Sequence, residues 1–325
     1  EQMSVMKQLE KLDGFGNVQM VEVETPELAS DQILVKVNRS LISRGSELFR
    51  RYVLEHPVNP NMMGYSDAGE VVSVGSEVRD FSVGQRVMVG GPHAQYVVAE
   101  GVGSRSRAFV LPDEMSFETA TFLPLTTSSV MWIRTSPLNV GETVVVLGQG
   151  IVGTLCAQIV REKKPGRVIV VDAQPLRCNI ARQMGHDEVI DVSITDSVAK
   201  VKEITGGIGA DLVIECVGGD AGIRSFEQAL QMLAPKGTIH LIALYQGGPL
   251  PLDASAIMNK QLIAGIRIDQ PREECTKDAA TMLTDGRVNV SDLITHRLPW
   301  EQTPDAYHLL YNKPDEALGV ILEWD

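Results

Sequence analysis

The stretch "VVVLGQGIVGTLCAQIV", residues 144–160, restricts the fold of this chain more than any other. Gly148, Gly150 and Gly153 form G-x-G-x-x-G between an apolar run and a helical pattern. The triplet alone is weak, but the next apolar run, "RVIVVD", closes on Asp172 about 20 residues on, and strand, turn, helix and acid together read as a dinucleotide-binding fingerprint. Gly148 allows a tight turn, Gly150 lets the backbone approach a diphosphate with no Cβ in the way, and Gly153 lets helix and strand pack closely. The diphosphate is expected on the free N–H groups of the helix start, at Ile151 and Val152, where the helix dipole favours an anion. Asp172 can accept bonds from both hydroxyls of an adenosine ribose and would repel a 2′-phosphate, so NAD rather than NADP is the expected cofactor. Arg177 is expected to flank the adenine. A Rossmann-like domain with no cofactor is the bland alternative, and a SAM site suits neither the β-rich first third nor the returning tail.

The surrounding pattern agrees with that fingerprint. From residue 143 onward apolar strands ("TVVVLG", "RVIVVD", "EVIDV", "ADLVIECVG", "GTIHLIAL", "QLIAGIRI") alternate with helical stretches, as a parallel sheet covered on both faces requires. The helix after Gly150 is expected from Val152 to Lys163 and the next from Leu176 to Met184. The first third reads differently: "QILVKVNRSLI", "AGEVVSVG", "QRVMVG" and "AQYVVAE" are short β-branched runs broken by Gly, Pro and Asp, the pattern of a compact barrel or sandwich. "SFETATFLPLTTSSVMWIRT", residues 116–135, turns helical, and the tail after residue 290 carries a helix and a strand expected to rejoin the first domain. The reading is an α/β chain of two domains, one spanning 1–118 with 290–325 and the other 119–289.

Charge and cysteine usage exclude several classes. With 42 acidic against 29 basic residues the net charge is −13, which argues against nucleic acid or an anionic membrane as partner. No apolar run reaches the ~18–20 residues that cross a bilayer, and no charged-then-apolar segment opens the chain. Cys156, Cys178, Cys216 and Cys275 form no C-x-x-C and the six histidines no H-x-x-x-H, so a structural zinc is not expected and reduced thiols in the cytoplasm are.

Over nearly its whole length the chain resembles the medium-chain dehydrogenase/reductase superfamily. "ISRGSE" (42–47), "MGYSDAGEVVSVG" (63–75), "GGPHAQYVV" (90–98) and "LITHRLPWEQTPDAYHLLYNKPDEALGVIL" (293–322) are similar to a zinc-lacking branch of it, among bacteriochlorophyllide hydroxyethyl dehydrogenase-like and threonine dehydrogenase-like proteins. The resemblance implies a GroES-like β-barrel catalytic domain, an inserted Rossmann domain with a doubly wound parallel sheet, and a substrate cleft between them. It also implies a homodimer formed along "QLIAGIRI" (261–268), and cofactor contacts from Arg44 and Thr127. Relatives that carry zinc hold it with a Cys, a His followed by Glu, and a further Cys or Glu. The matching positions here are Ser43, Tyr65 followed by Ser66, and Leu123, so no metal is expected.

Alcohol oxidation without a Lewis acid needs a side chain to handle the hydroxyl proton. Tyr65 is the candidate, provided its pKa near 10 is lowered by its surroundings. Glu47 is expected to orient or activate it, Ser43 and Ser46 to relay the proton, and His93 to offer a second proton-transfer group on a loop near the cleft. Each has a plainer reading: Tyr65 and Trp132 as filling, Glu47 as a cap or ion-pair partner, His93 as structural, Asp67 as a turn residue, His296 and Arg297 as anchors of the tail. The leading expectation is an NAD-dependent oxidoreductase acting on a small secondary alcohol or ketone such as a sugar, polyol or cyclic alcohol. A reductase of activated C=C bonds or quinones is the second, against which Asp172 counts, and a non-catalytic nucleotide sensor the third.

Overall fold

The computed structural model describes residues 5–102, 108–186, 188–243, 249–265 and 271–325. Residue 244 of "GTIHLIAL" and residues 266–268 of "QLIAGIRI" lie outside them. Seven strands come first: β1 (Val5–Lys11), β2 (Val18–Glu24), β3 (Gln32–Leu41), β4 (Asp67–Val74), β5 (Arg86–Val89), β6 (Tyr96–Glu100) and β7 (Phe109–Val110). Six follow: β8 (Thr143–Leu147), β9 (Arg167–Asp172), β10 (Glu188–Asp191), β11 (Ala210–Glu215), β12 (Leu233–Leu241) and β13 (Gln261–Ala264). The tail adds β14 (Ile294–Pro299) and β15 (Gly319–Glu323). The chain divides into two compact units, Glu1–Pro124 with Ile294–Asp325, and Leu125–Leu293.

In the first unit β14, β15, β3, β4, β5 and β7 form one sheet, and β6 joins β3 beside them. The antiparallel β3 and β4 slip register twice, between Leu34 and Val35 and between Val37 and Arg39. Such bulges sharpen the twist that lets a sheet curl into a barrel. Ile33, Val35, Val37, Val71, Val87, Val89 and Val97 line its interior with Tyr307 and Leu322 from the tail. The β1–β2 hairpin, which the pattern reading did not anticipate, pairs Val5 with Glu24 through Lys11 with Val18. Its strands "VMKQLEK" and "VQMVEVE" place charged and apolar residues on the same face, so alternation is faint.

In the second unit the strand order is β10-β9-β8-β11-β12-β13, every neighbouring pair parallel. That is the doubly wound order, with its reversal between β8 and β11, where ligands of such sheets bind beyond the strands' carboxyl ends. Val144, Val145 and Val146 are wholly buried because both faces of β8 are covered. The helical stretch at 116–135 is two helices, Phe117–Ala120, capped by Ser116 accepting from Thr119 N, and Leu123–Thr135. Pro124 stands at the second position of the latter, where its missing N–H is tolerated. Among the described residues no helix is long and apolar enough to cross a membrane.

Candidate functional site

The turn after β8 shows which of its glycines the protein itself requires. Gly148 has φ +86°, and a Cβ on Gly153 would stand 1.7 Å from Gly148 O. Gly150 caps the helix Ile151–Ile159 from ordinary extended backbone (φ −67°, ψ −178°), and a Cβ there would meet nothing nearer than Arg177 Nη1 at 4.0 Å. Nothing in the chain demands Gly150, whereas an approaching diphosphate would. Asp172, buried at the end of β9, accepts from Gln149 N through Oδ2 (2.6 Å) and from Gln174 N through Oδ1 (2.7 Å). Each oxygen keeps a further lone pair for a ribose hydroxyl. The residues thus fit a dinucleotide. Arg177 sets its Nη1 3.6 Å from Asp172 Oδ2. Thr127 is buried and donates to Thr276 Oγ1 at 3.4 Å.

A second cluster lies inside the barrel unit. The π-helix Arg44–Tyr52 carries Arg44, Ser46, Glu47 and Arg51, and Ser43 stands just before it. π-helical turns are rare and are frequent at functional sites. Glu47 is wholly buried, and three donors converge on it: Ser43 N on Oε1 (2.8 Å), His93 Nε2 on Oε2 (2.9 Å) and the Tyr307 hydroxyl, also on Oε2. A carboxylate only accepts, so His93 Nε2 carries a proton, while Nδ1 shares a hydrogen bond with the Ser40 hydroxyl (2.8 Å), whose oxygen accepts from Trp324 Nε1 (2.9 Å). Arg44 rests over the Phe49 ring at 5.2 Å.

Tyr65, partly buried, shares hydrogen bonds with the Ser43 and Ser46 side chains, so the structure brings these three together as expected. Their electrostatics correct the sequence expectation. Burial pushes the Tyr65 pKa up to about 12, and the Glu47 charge raises it further against the pull of Ser43, Ser46 and Arg51. Tyr65 is therefore a firm phenol, and Glu47 does not activate it by lowering its pKa. His93 is corrected too: it is wholly buried with both ring nitrogens engaged, which leaves neither for a substrate. Asp67, next to Ser66 at the start of β4, is fully buried; Oδ2 accepts from Gly91 N (3.1 Å) and Oδ1 has no partner. Burial first and the Glu47 charge second push its pKa well above the usual carboxylate range, so it holds its proton. Arg297 grips Glu118 through both Nε (2.6 Å) and Nη2 (2.9 Å), anchoring the tail.

Tyr307, Ser40, Trp324 and Arg51 were not singled out in the sequence. Tyr307 sits among Ala306 and Leu310 at the spacing of any core helix, and no local signal distinguishes it.

Zinc does not fit this donor set. Leu123 is a wholly buried hydrocarbon, the Ser43 hydroxyl is committed to Tyr65, and among the described residues no three of His, Cys, Asp and Glu stand together to hold an ion.

Residues 29–118 match the family "Alcohol dehydrogenase GroES-like domain" and residues 152–284 the family "Zinc-binding dehydrogenase". The chain is 26% identical to sorbitol dehydrogenase of Bacillus subtilis (strain 168), over 94% of this chain and 95% of that protein. Among solved structures, a putative zinc-binding dehydrogenase of Sinorhizobium meliloti 1021 bound to NADP matches with TM-score 0.82 and 23% identity, over 98% of this chain and 99% of that one. A protein of Escherichia coli CFT073 described as a short chain alcohol dehydrogenase, complexed with NADH, matches with TM-score 0.83 and 19% identity, again over 98% and 99%. The fold defines a GroES-like unit and a Rossmann-like unit with a parallel sheet. Together the two family matches and the relatives support the medium-chain dehydrogenase/reductase superfamily.

Proposed function

We propose that this chain is a zinc-independent oxidoreductase that moves a hydride between NAD(H) and a small secondary alcohol or ketone of the polyol or sugar class. The observation that carries the reading is the Tyr65 phenol, hydrogen-bonded with the Ser43 and Ser46 side chains; Tyr65 and Ser43 are the positions that the family resemblance matches to metal ligands. The similarity to a sorbitol dehydrogenase supports the alcohol class, and the two backbone bonds that orient Asp172 support NAD.

NAD, when bound, supplies the hydride acceptor or donor. The chain's own groups handle the oxygen. With a pKa pushed up to about 12, Tyr65 keeps its proton at neutral pH and can donate a hydrogen bond to a carbonyl oxygen, delivering the proton as that oxygen gains charge. Ser43 and Ser46, bonded to the same side chain, are placed to replace it. Glu47 is a positioning residue: by accepting from Ser43 N it fixes the segment that presents Ser43 to Tyr65, while His93 and Tyr307 fix Glu47.

Protein purified without chelator should carry no stoichiometric zinc by elemental analysis and should turn over a member of a polyol, sugar and cyclic-alcohol panel faster with NAD than with NADP. Tyr65→Phe should lower kcat ~10²-fold or more, the usual scale for losing a positioned acid, with NADH affinity unchanged. Stoichiometric zinc, or a wild-type rate in Tyr65→Phe, overturns the mechanism. NADH binding with no turnover across the panel would instead favour a nucleotide sensor.

A further inference from the structure

We propose that Arg51 binds an anionic group of the substrate, so that the preferred alcohols or ketones carry a carboxylate or phosphoryl group; this rests on the oxidoreductase reading above. Arg51 lies at the end of the π-helix that also presents Ser46 and Glu47. Its Nη1 is buried and has no hydrogen-bond partner. Leaving a buried donor unmet is costly, more so for a charged one, and folding normally avoids it.

This chain has carboxylates to spare, 42 acidic residues against 29 basic. Arg39, Arg134, Arg167, Arg177, Arg287 and Arg297 each pair with one. Among the described residues Arg51 does not, and unlike the exposed Arg50, Arg79, Arg182 and Arg224, which also lack a carboxylate, it keeps a buried Nη1 unmet. The acids of its own cluster are engaged elsewhere: both Glu47 oxygens are taken by Ser43, His93 and Tyr307, and Asp67 turns Oδ2 to Gly91 N. The Arg51 charge nevertheless reaches the reaction centre proposed above, for it pulls down the pKa of Tyr65 and of Tyr307 against the burial that raises both. A positive charge acting on that phenol, with a buried N–H unmet and no carboxylate bonded to it, is a binding site for an external anion. The planar guanidinium fork matches either a carboxylate or a phosphate.

The test is calorimetry on the NADH-loaded protein with three- to six-carbon polyols, their terminal phosphates and the corresponding aldonates. Wild type is compared with Arg51→Met and Arg51→Lys. One anionic series should bind wild type at least tenfold more tightly than the neutral polyols, and which series does so identifies the anion. Arg51→Met should lose that advantage at least tenfold and Arg51→Lys should restore part of it, with NADH affinity within about twofold in all three. Neutral polyols binding as tightly as both anionic series, no anion binding at all, or an undiminished preference in Arg51→Met overturns the proposal. So does a loss of NADH affinity in Arg51→Met, which would assign the guanidinium to the cofactor. Anion binding that depends on Arg51 without turnover of any compound would remove the enzyme reading and keep the site. Turnover of neutral and anionic compounds alike would do the reverse.

Discussion

Two alanine substitutions three residues apart separate what the fold needs from what a cofactor needs. In Gly153→Ala the new Cβ falls 1.7 Å from Gly148 O and 2.9 Å from Gly148 C. These are backbone atoms held between β8 and the helix start, so the helix itself must move away from the turn. Overpacking of this kind costs about 1–3 kcal/mol, and at ~2–4 °C per kcal/mol for a unit this size the melting temperature should fall by roughly 2–12 °C. In Gly150→Ala the Cβ meets only Arg177 Nη1 at 4.0 Å, and the backbone (φ −67°) is one that alanine adopts freely. The remaining cost is the loss of a favoured N-cap residue, about 1 kcal/mol or less. Yet that methyl stands at the helix N-terminus, where a diphosphate would approach. NADH affinity should therefore drop at least tenfold, ~1.4 kcal/mol, in a protein that melts within a few degrees of wild type. Differential scanning calorimetry and titration of NADH fluorescence read the two effects separately. Gly150→Ala binding NADH with wild-type affinity would refute the assignment of this turn to a dinucleotide, and Gly153→Ala melting like wild type would refute the packing argument.

Two further outcomes are expected. Asp67 holds its proton when folded and releases it near pH 4 when unfolded; the folded chain thus binds the extra proton and loses stability as pH rises above ~4. Asp67→Asn removes this loss, so its urea-unfolding stability should gain on wild type by up to ~1.4 kcal/mol per pH unit from about pH 5 up to the folded-state pKa, with the gain vanishing toward pH 4; parallel pH profiles would show that Asp67 ionises normally. A homodimer paired along β13, the sheet edge where Leu262 is 41% exposed, is the proposed assembly. Sedimentation should then show a dimer that Leu262→Lys dissociates, and a wild-type monomer at micromolar concentration removes the proposal.

The glycine turn and its acid were legible because their parts are consecutive in the chain: one strand, one turn, one helix and the acid that ends the next strand. Even there the partner of Arg177 was not, since an ion pair with Asp172 depends on side-chain geometry that spacing leaves open. The cluster inside the barrel unit was legible only as a set of residue types at familiar positions. Tyr65 and Ser43 could be singled out, but the groups that decide their chemistry arrive from far away, as Tyr307 does across 260 residues to reach Glu47. The expected lowering of the Tyr65 pKa failed for the same reason. Burial and the Glu47 charge, both products of tertiary packing, outweigh the two serines and Arg51. That reversal changes the chemistry the site favours. A phenol with a lowered pKa would serve as a base for alcohol oxidation, whereas one that holds its proton this firmly is matched to a carbonyl oxygen acquiring charge. Oxidation through the same group would need the substrate proton to leave through Ser43 and Ser46. Ketone reduction draws on the O–H that burial and Glu47 preserve, with the proton replaced through Ser43 and Ser46 after each transfer.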